Sequence, residues 1–145
     1  MNIRPIQRTD YNQWLPLWQL NCQNKISDNI TQETWRRLCN PKEAVYGLGV
    51  FDDQQQLYGF VHYILHPVTG FVEPACYMQD LYIREDTRRQ GLAKRLVWEL
   101  HDIGQQENWA RLYWFADNKD PAVQALYQSL GVEMDFGLFI LQTHQ

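Results

Sequence analysis

Apolar and polar positions change period several times along the chain, and each change marks an element. Residues 2–7 suit a first short strand, and Thr9 or Asp10 offers an N-cap for the helix that Tyr11, Trp14, Leu15 and Trp18 outline on one face. Pro16 sits inside that pattern and predicts a kink or a split. After the polar stretch 21–30, Thr31 caps a second short helix through Trp35 and Leu38, stopped by Asn40 and Pro41. Residues 46–51 and Leu57–His66 read as two strands of a hairpin around the turn Asp52-Asp53-Gln54-Gln55, and residues 76–83 as a further strand. Leu92, Leu96, Leu100 and Ile103 then recur at helical spacing up to about Asn108. Residues 111–115 form a dense apolar and aromatic run, read as a buried strand. Pro121 takes the first position of a last helix carrying Val123, Leu126, Tyr127 and Leu130, with Gly131 closing it, and residues 133–141 supply the last one or two strands. The order β-α-α-β-β-β-α-β-α-β places strand-helix-strand units at the centre of one α/β (α+β) domain spanning residues 1–145.

The junction within residues 81–96, LYIREDTRRQGLAKRL, is the stretch with the clearest chemistry. A strand feeds a helix through a short polar loop, and the first helical turn there has N–H groups without intrahelical partners, which favours an anion. Arg88, Arg89, Lys94 and Arg95 add charge, Gly91 allows close approach of the main chain, and Ala93 keeps the next turn nearly bare. Two readings follow: a phosphate or pyrophosphate cradle, or a solvated basic helix start. Neither the three-glycine dinucleotide fingerprint nor a P-loop is present.

Composition narrows the choice. A chain of 145 residues, 45% hydrophobic, is enough for one domain with a single core. The net charge of -4 argues against a nucleic-acid binder held by a general basic surface and fits cationic partners better. Cys22, Cys39 and Cys76 are odd in number and widely spaced, so neither a disulfide framework nor a zinc site is expected. His62 and His66 lie four apart on one strand face without a partner at metal-ligand spacing, so no metal is expected either. No apolar stretch suggests a signal peptide or a membrane span, and a cytoplasmic location is the default expectation.

The triad Arg88, Gly91 and Ala93 follows R-x-x-G-x-A and resembles the acetyl-CoA pyrophosphate-binding motif of the GNAT N-acetyltransferase superfamily. The flanks CYMQDLYI, RLYWFA and DNKDPAVQALYQSLGV follow at the spacing of that fold, and within the superfamily they look most like the histone and polyamine acetyltransferase branch. The resemblance implies a mixed central sheet of about six to seven strands flanked by about four helices. It implies that main-chain groups of Leu81, Tyr82 and Ile83 pair with the pantetheine arm of acetyl-CoA as if it were a strand. Arg88, Arg89, Gln90, Gly91, Leu92, Ala93 and Lys94 would hold the pyrophosphate, and Asn118 would contact the cofactor.

Tyr127 matches the family tyrosine that faces the cofactor sulfur, where a phenol can protonate the thiolate expelled when an amine attacks the thioester. Its other reading is a tyrosine in the apolar face of its helix. Gln79 stands where the resembled pattern has an acid, and a glutamine cannot accept a proton. Asp80, a water chain, or an amine that arrives neutral must then serve as base, with Gln79 left to orient substrate. The expected activity is transfer of an acetyl group from acetyl-CoA to a primary amine by direct attack in a ternary complex. The expected acceptor is cationic: a polyamine, an aminoglycoside or a lysine-rich protein tail. The alternatives are an amino-acid acetyltransferase and a CoA-binding regulatory or interaction domain without turnover. The many aromatic residues and the apolar end of the chain, read as an edge strand, add the expectation of a homodimer.

Overall fold

A computed structural model describes residues 1–117 and 119–144. They fall into two compact units, Met1–Trp114 and Phe115–Gln145. Among the described residues there are five strands and four helices: β1 (Asn2–Pro5), α1 (Tyr11–Asn21), α2 (Asp28–Leu38), β2 (Val45–Phe51), β3 (Leu57–His66), β4 (Ala75–Ile83), α3 (Leu92–Glu107), β5 (Arg111–Tyr113) and α4 (Pro121–Gln128). The sheet runs β1-β2-β3-β4-β5, with the first three pairings antiparallel and β4 to β5 parallel. That parallel pair is the one that needs a helical crossover, and α3 supplies it.

Alternation along the strands divides the core. Phe60 and His62 stack on one face of β3, where Trp14, Leu17 and Trp18 of α1 meet Ile6, Phe51 and Leu57. Val61 and Tyr63 turn to the other face, and Tyr63 packs on Trp109 just beyond α3. The aromatic residues of the first helices form one cluster, with Trp14 stacked on Trp18 at 5.5 Å and tilted against Trp35 at 4.8 Å.

Several expectations change. The sheet has five strands rather than six to seven, because residues 133–141 form no ladder among the described residues. Phe136 donates its N–H to the carbonyl of Met134 in a tight turn, and alternation would bury nothing there, since Phe139 and Leu141 are 93% and 91% exposed. β5 stops at Tyr113 instead of Phe115 and is half-buried, because its pairing with β4 ends at Tyr77. α1 runs unbroken through Pro16, which removes a single backbone donor while burial of Trp14, Leu17 and Trp18 holds the helix on the sheet.

The capping residues also move. Asp10 ends a turn of 3-10 helix leading directly into α1, and α2 begins at Asp28 after Ser27, one turn ahead of Thr31. The Thr31 hydroxyl instead accepts from the indole N–H of buried Trp18 at 3.0 Å. α4 starts as expected, with Pro121 in its first turn and Asp120 accepting from the N–H groups of Ala122 and Val123. It ends at Gln128, ahead of Gly131.

Asp10 is buried and accepts from Arg4 through both guanidinium ends at 2.8 and 3.0 Å, and from the Gln7 N–H at 2.7 Å. Burial alone would raise this carboxyl, but the hydrogen bonds from Arg4 and Gln7 outweigh it and hold the group below its ordinary value. Because the depressed value belongs to the folded state, the interaction is fully stabilising above about pH 4 and is lost as pH falls through the folded value. Arg4→Met strands the carboxylate and is expected to cost about 2–3 kcal/mol at pH 7 and clearly less at pH 3. Urea midpoints at the two pH values check this, and an equal loss at both would contradict it.

Candidate active site

β4 has nine residues, but β5 covers only Ala75, Cys76 and Tyr77. A bulge follows at once: His62 pairs with Asp80 and Tyr63 with Met78, so Gln79 is the extra residue, and it is exposed. From there to Ile83, among the described residues, the strand is paired on its β3 side only. Arg84 donates to the carbonyl of Tyr58 at 2.8 Å, and Gly59 lies opposite Ile83. Hydrogen-bonded and non-hydrogen-bonded pairs alternate in an antiparallel ladder, so Tyr82 points its main-chain groups at Phe60 and the groups of Leu81 and Ile83 face the open edge. Of the three residues expected to pair with an extended ligand, Leu81 therefore can through both groups and Ile83 through its N–H, its carbonyl accepting from Arg88, while Tyr82 is already engaged. Gly59 makes the close pairing possible, since a Cβ there would meet the Tyr82 carbonyl oxygen at 2.7 Å.

Beyond β4 a turn of 3-10 helix, Glu85–Thr87, leads to Arg88, Arg89, Gln90 and Gly91 and then α3. Among the described residues no hydrogen bond uses the backbone N–H of Arg89, Gln90, Gly91, Leu92, Ala93 or Lys94. Six consecutive donors at the head of a helix form a nest for an anion. The turn uses left-handed angles, φ 76° at Gly91 and φ 66° at Arg89; glycine adopts them freely, while Arg89 bears a cost of about 1–2 kcal/mol. An added Cβ at Gly91 meets nothing within 4 Å, so glycine serves the backbone angle and keeps the space in front of the nest clear. The Arg88 side chain turns away from the nest. Its Nε donates to the carbonyl of Ile83 at 2.9 Å and its guanidinium lies over the Tyr82 ring, tying the end of β4 to the start of the cradle.

The bulge places Asp80 on the face that α1 covers. Asp80 Oδ2 is 3.0 Å from His62 Nδ1, and Asn21 Nδ2 donates to Oδ1 at 3.2 Å. The His62 ring is buried, while the Asp80 side chain keeps 19% exposure. Beside this group a pocket of about 190 Å3 is lined by residues that include Trp18, Cys22, Ile26 and Asp28, from the end of α1 to the start of α2. Sequence reasoning put Asp80 among the possible bases but missed His62, Trp14 and Asn21. The signal was present: Trp14, Trp18 and Asn21 are spaced four and three apart on one helical face.

Cys76 is fully buried, and burial pushes its thiol up to about 12, which leaves no thiolate for covalent catalysis at neutral pH. Burial also raises the Tyr127 phenol, in α4 of the second unit, above its ordinary value, which suits a group that donates a proton. Asn118 lies outside the described residues. Among the described residues no group of His, Cys, Asp and Glu could hold a metal ion.

An open strand edge continued by a nest of free N–H groups fits an extended ligand that ends in phosphates, as acetyl-CoA does. A model of the acetyltransferase (GNAT) family matches residues 7–132. The chain belongs to this family and is an acetyl-CoA-dependent N-acetyltransferase. It is 26% identical over 141 residues to the D-amino-acid N-acetyltransferase HPA3 of Saccharomyces cerevisiae, covering 94% of this chain and 88% of that one. Two solved structures share the fold. The ribosomal-protein-alanine N-acetyltransferase of Brucella melitensis biovar Abortus 2308 superposes with a TM-score of 0.81 at 23% identity, over 98% of this chain and 99% of that one. AAC(6')-Iy, bound to a bisubstrate analogue of CoA, gives 0.81 at 16% identity, over 99% and 98%.

Gly91→Glu puts bulk and negative charge in front of the nest and is expected to weaken acetyl-CoA binding by about 10²-fold or more. Arg89→Gly separates strain from charge: it relieves the left-handed residue, raising the melting temperature slightly, while weakening the cofactor by loss of a cation. Calorimetric titration and thermal melts of the two variants check both effects. Wild-type affinity in folded Gly91→Glu would remove the cradle.

Proposed function

We propose that the chain moves the acetyl group of acetyl-CoA directly to a small primary amine whose nitrogen is received at Asp80. The observation that carries this reading is the position of Asp80. It is a partly exposed carboxylate one residue past the bulge, on the same strand as the open edge, held by two neutral donors. Acetyl-CoA supplies a thioester carbonyl to this end of the strand. Leu81 and Ile83 hold the extended arm and the N–H groups of residues 89–94 hold the pyrophosphate, with Asn118 as a further cofactor contact. Gln79, exposed at the bulge, orients the acceptor, Asp80 takes the proton of the attacking amine, and Tyr127 protonates the departing thiolate. The buried Cys76 supports a ternary complex over an acyl-enzyme. The family match spans both compact units, which supports one N-acetyltransferase domain.

The acceptor is read as cationic, with Asp80 carrying the recognition. Of the other acids of the first unit, Asp28 lines the pocket beside this group, and two lie at the ends of β3. Asp52 accepts from the N–H groups of Gln54 and Gln56 and from the Tyr58 hydroxyl, pinning the β2–β3 turn, and Glu73 lies in the loop at the opposite end of β3. The sequence likeness to the histone and polyamine branch supports an amine with more than one positive charge. The yeast relative, a D-amino-acid N-acetyltransferase, supports a second reading in which the acceptor is an amino acid.

Kinetics of CoA release against polyamines, aminoglycosides, lysine-rich peptides and both enantiomers of amino acids decide between these readings. For a polycation, kcat/KM is expected to fall with added salt. A strong preference for a D-amino acid, indifferent to salt, would establish the second reading. Tyr127→Phe is expected to lower kcat about 10²-fold with acetyl-CoA affinity little changed. Because burial lifts the phenol, the wild-type rate should show no fall from this group below about pH 10. An alkaline decline at lower pH that disappears in Tyr127→Phe would contradict its role as proton donor.

A further inference from the structure

Asp80 is not a lone carboxylate at the end of a strand. His62, its partner across the ladder, is 3% exposed and lies between the rings of Phe60, at 4.4 Å, and Trp18, at 5.5 Å. The indole N–H of fully buried Trp14 points at His62 Nε2 at 3.0 Å. An indole nitrogen only donates, so Nε2 must accept, and the ring proton must then sit on Nδ1, facing Asp80 Oδ2 at 3.0 Å. Asn21, seven residues after Trp14 on the same helix, reaches the other carboxylate oxygen. One face of α1 therefore acts on Asp80 twice, directly through Asn21 and through the His62 ring.

A buried neutral histidine has one donor and one acceptor nitrogen to satisfy. Here both ring nitrogens are used, and the order is directional: Trp14 donates to His62, and His62 donates to Asp80. We propose that His62 is a positioning residue for acetyl transfer, locked by Trp14 in its Nδ1–H tautomer so that it holds the Asp80 carboxylate toward the acceptor amine. The inference rests on the reading that Asp80 receives the amine. Each oxygen keeps a lone pair free of protein donors, and the fixed N–H leaves the carboxylate one orientation in which to offer it.

Four variants and one spectrum test this. His62→Phe keeps the stack and removes the donor; it is expected to lower kcat about 10²-fold with acetyl-CoA affinity unchanged, as for a misplaced reacting group. His62→Asn, whose amide can reach the place of Nδ1, is expected to recover most of that loss. Trp14→Phe frees the tautomer and is expected to lower kcat about 3- to 10-fold, the size of one lost hydrogen bond. Imidazole nitrogen NMR should show His62 as Nδ1–H in the wild type and as a mixture of tautomers in Trp14→Phe, a readout that holds even if His62→Phe fails to fold. An Nε2–H signal in the wild type, or wild-type kcat in His62→Phe, overturns the proposal. Asp80→Asn separates the two ideas. If it abolishes turnover while folded His62→Phe does not, His62 is only structural and Asp80 still receives the amine. If Asp80→Asn turns over normally, the reading of Asp80 falls and this proposal falls with it.

Discussion

The early end of the β4–β5 pairing is the constraint on which the rest of the site depends. Three residue pairs join the strands, and the bulge at Gln79 comes immediately afterwards. A bulge bends and twists the strand that carries it, so the remainder of β4 stays paired with β3 while its other edge is left without a partner. An unpaired edge inside a sheet is normally a liability that proteins cover. Here it is continued by six free N–H groups at the head of α3, and the two features form one line of donors and acceptors. An extended molecule with a phosphate end satisfies both.

One local cost and one tie maintain that line. Arg89 and Gly91 adopt left-handed angles so that the turn delivers its N–H groups together, and Arg88 anchors the turn to the last carbonyl of β4. The same bulge turns Asp80 toward α1, where Asn21 and the Trp14–His62 pair receive it. Open edge and carboxylate are thus consequences of one irregularity in one strand. Their relative position follows from the backbone more than from side-chain packing.

Much of this was legible in the residues. Leu57–His66 is an apolar, aromatic and β-branched run between turn residues, so its bounds emerged directly. Pro121 after Asp120 is a helix start by its chemistry, and Arg88, Gly91 and Ala93 mark the turn from β4 into α3. What stayed hidden depends on partners distant in sequence. Thr31 looks like a cap until Trp18 claims its hydroxyl, and His62 looks like a spare histidine until Trp14, 48 residues earlier, is laid against it. Tyr82 could not be told from Leu81 and Ile83 without the phase of the ladder. The apolar run from Phe136 to Leu141 has strand composition, yet composition cannot supply the neighbouring strand that would pair with it.

Residue-resolved amide hydrogen exchange, with and without acetyl-CoA, tests the central claim most directly. Without ligand, the N–H groups of Leu81, Ile83 and residues 89–94 should exchange fast, while that of Tyr82, bonded across to β3, exchanges slowly. On adding acetyl-CoA, the fast set should become protected together, and Tyr82 should change little. Protection that fell elsewhere and left Leu81, Ile83 and the 89–94 turn exchanging as before would contradict the account.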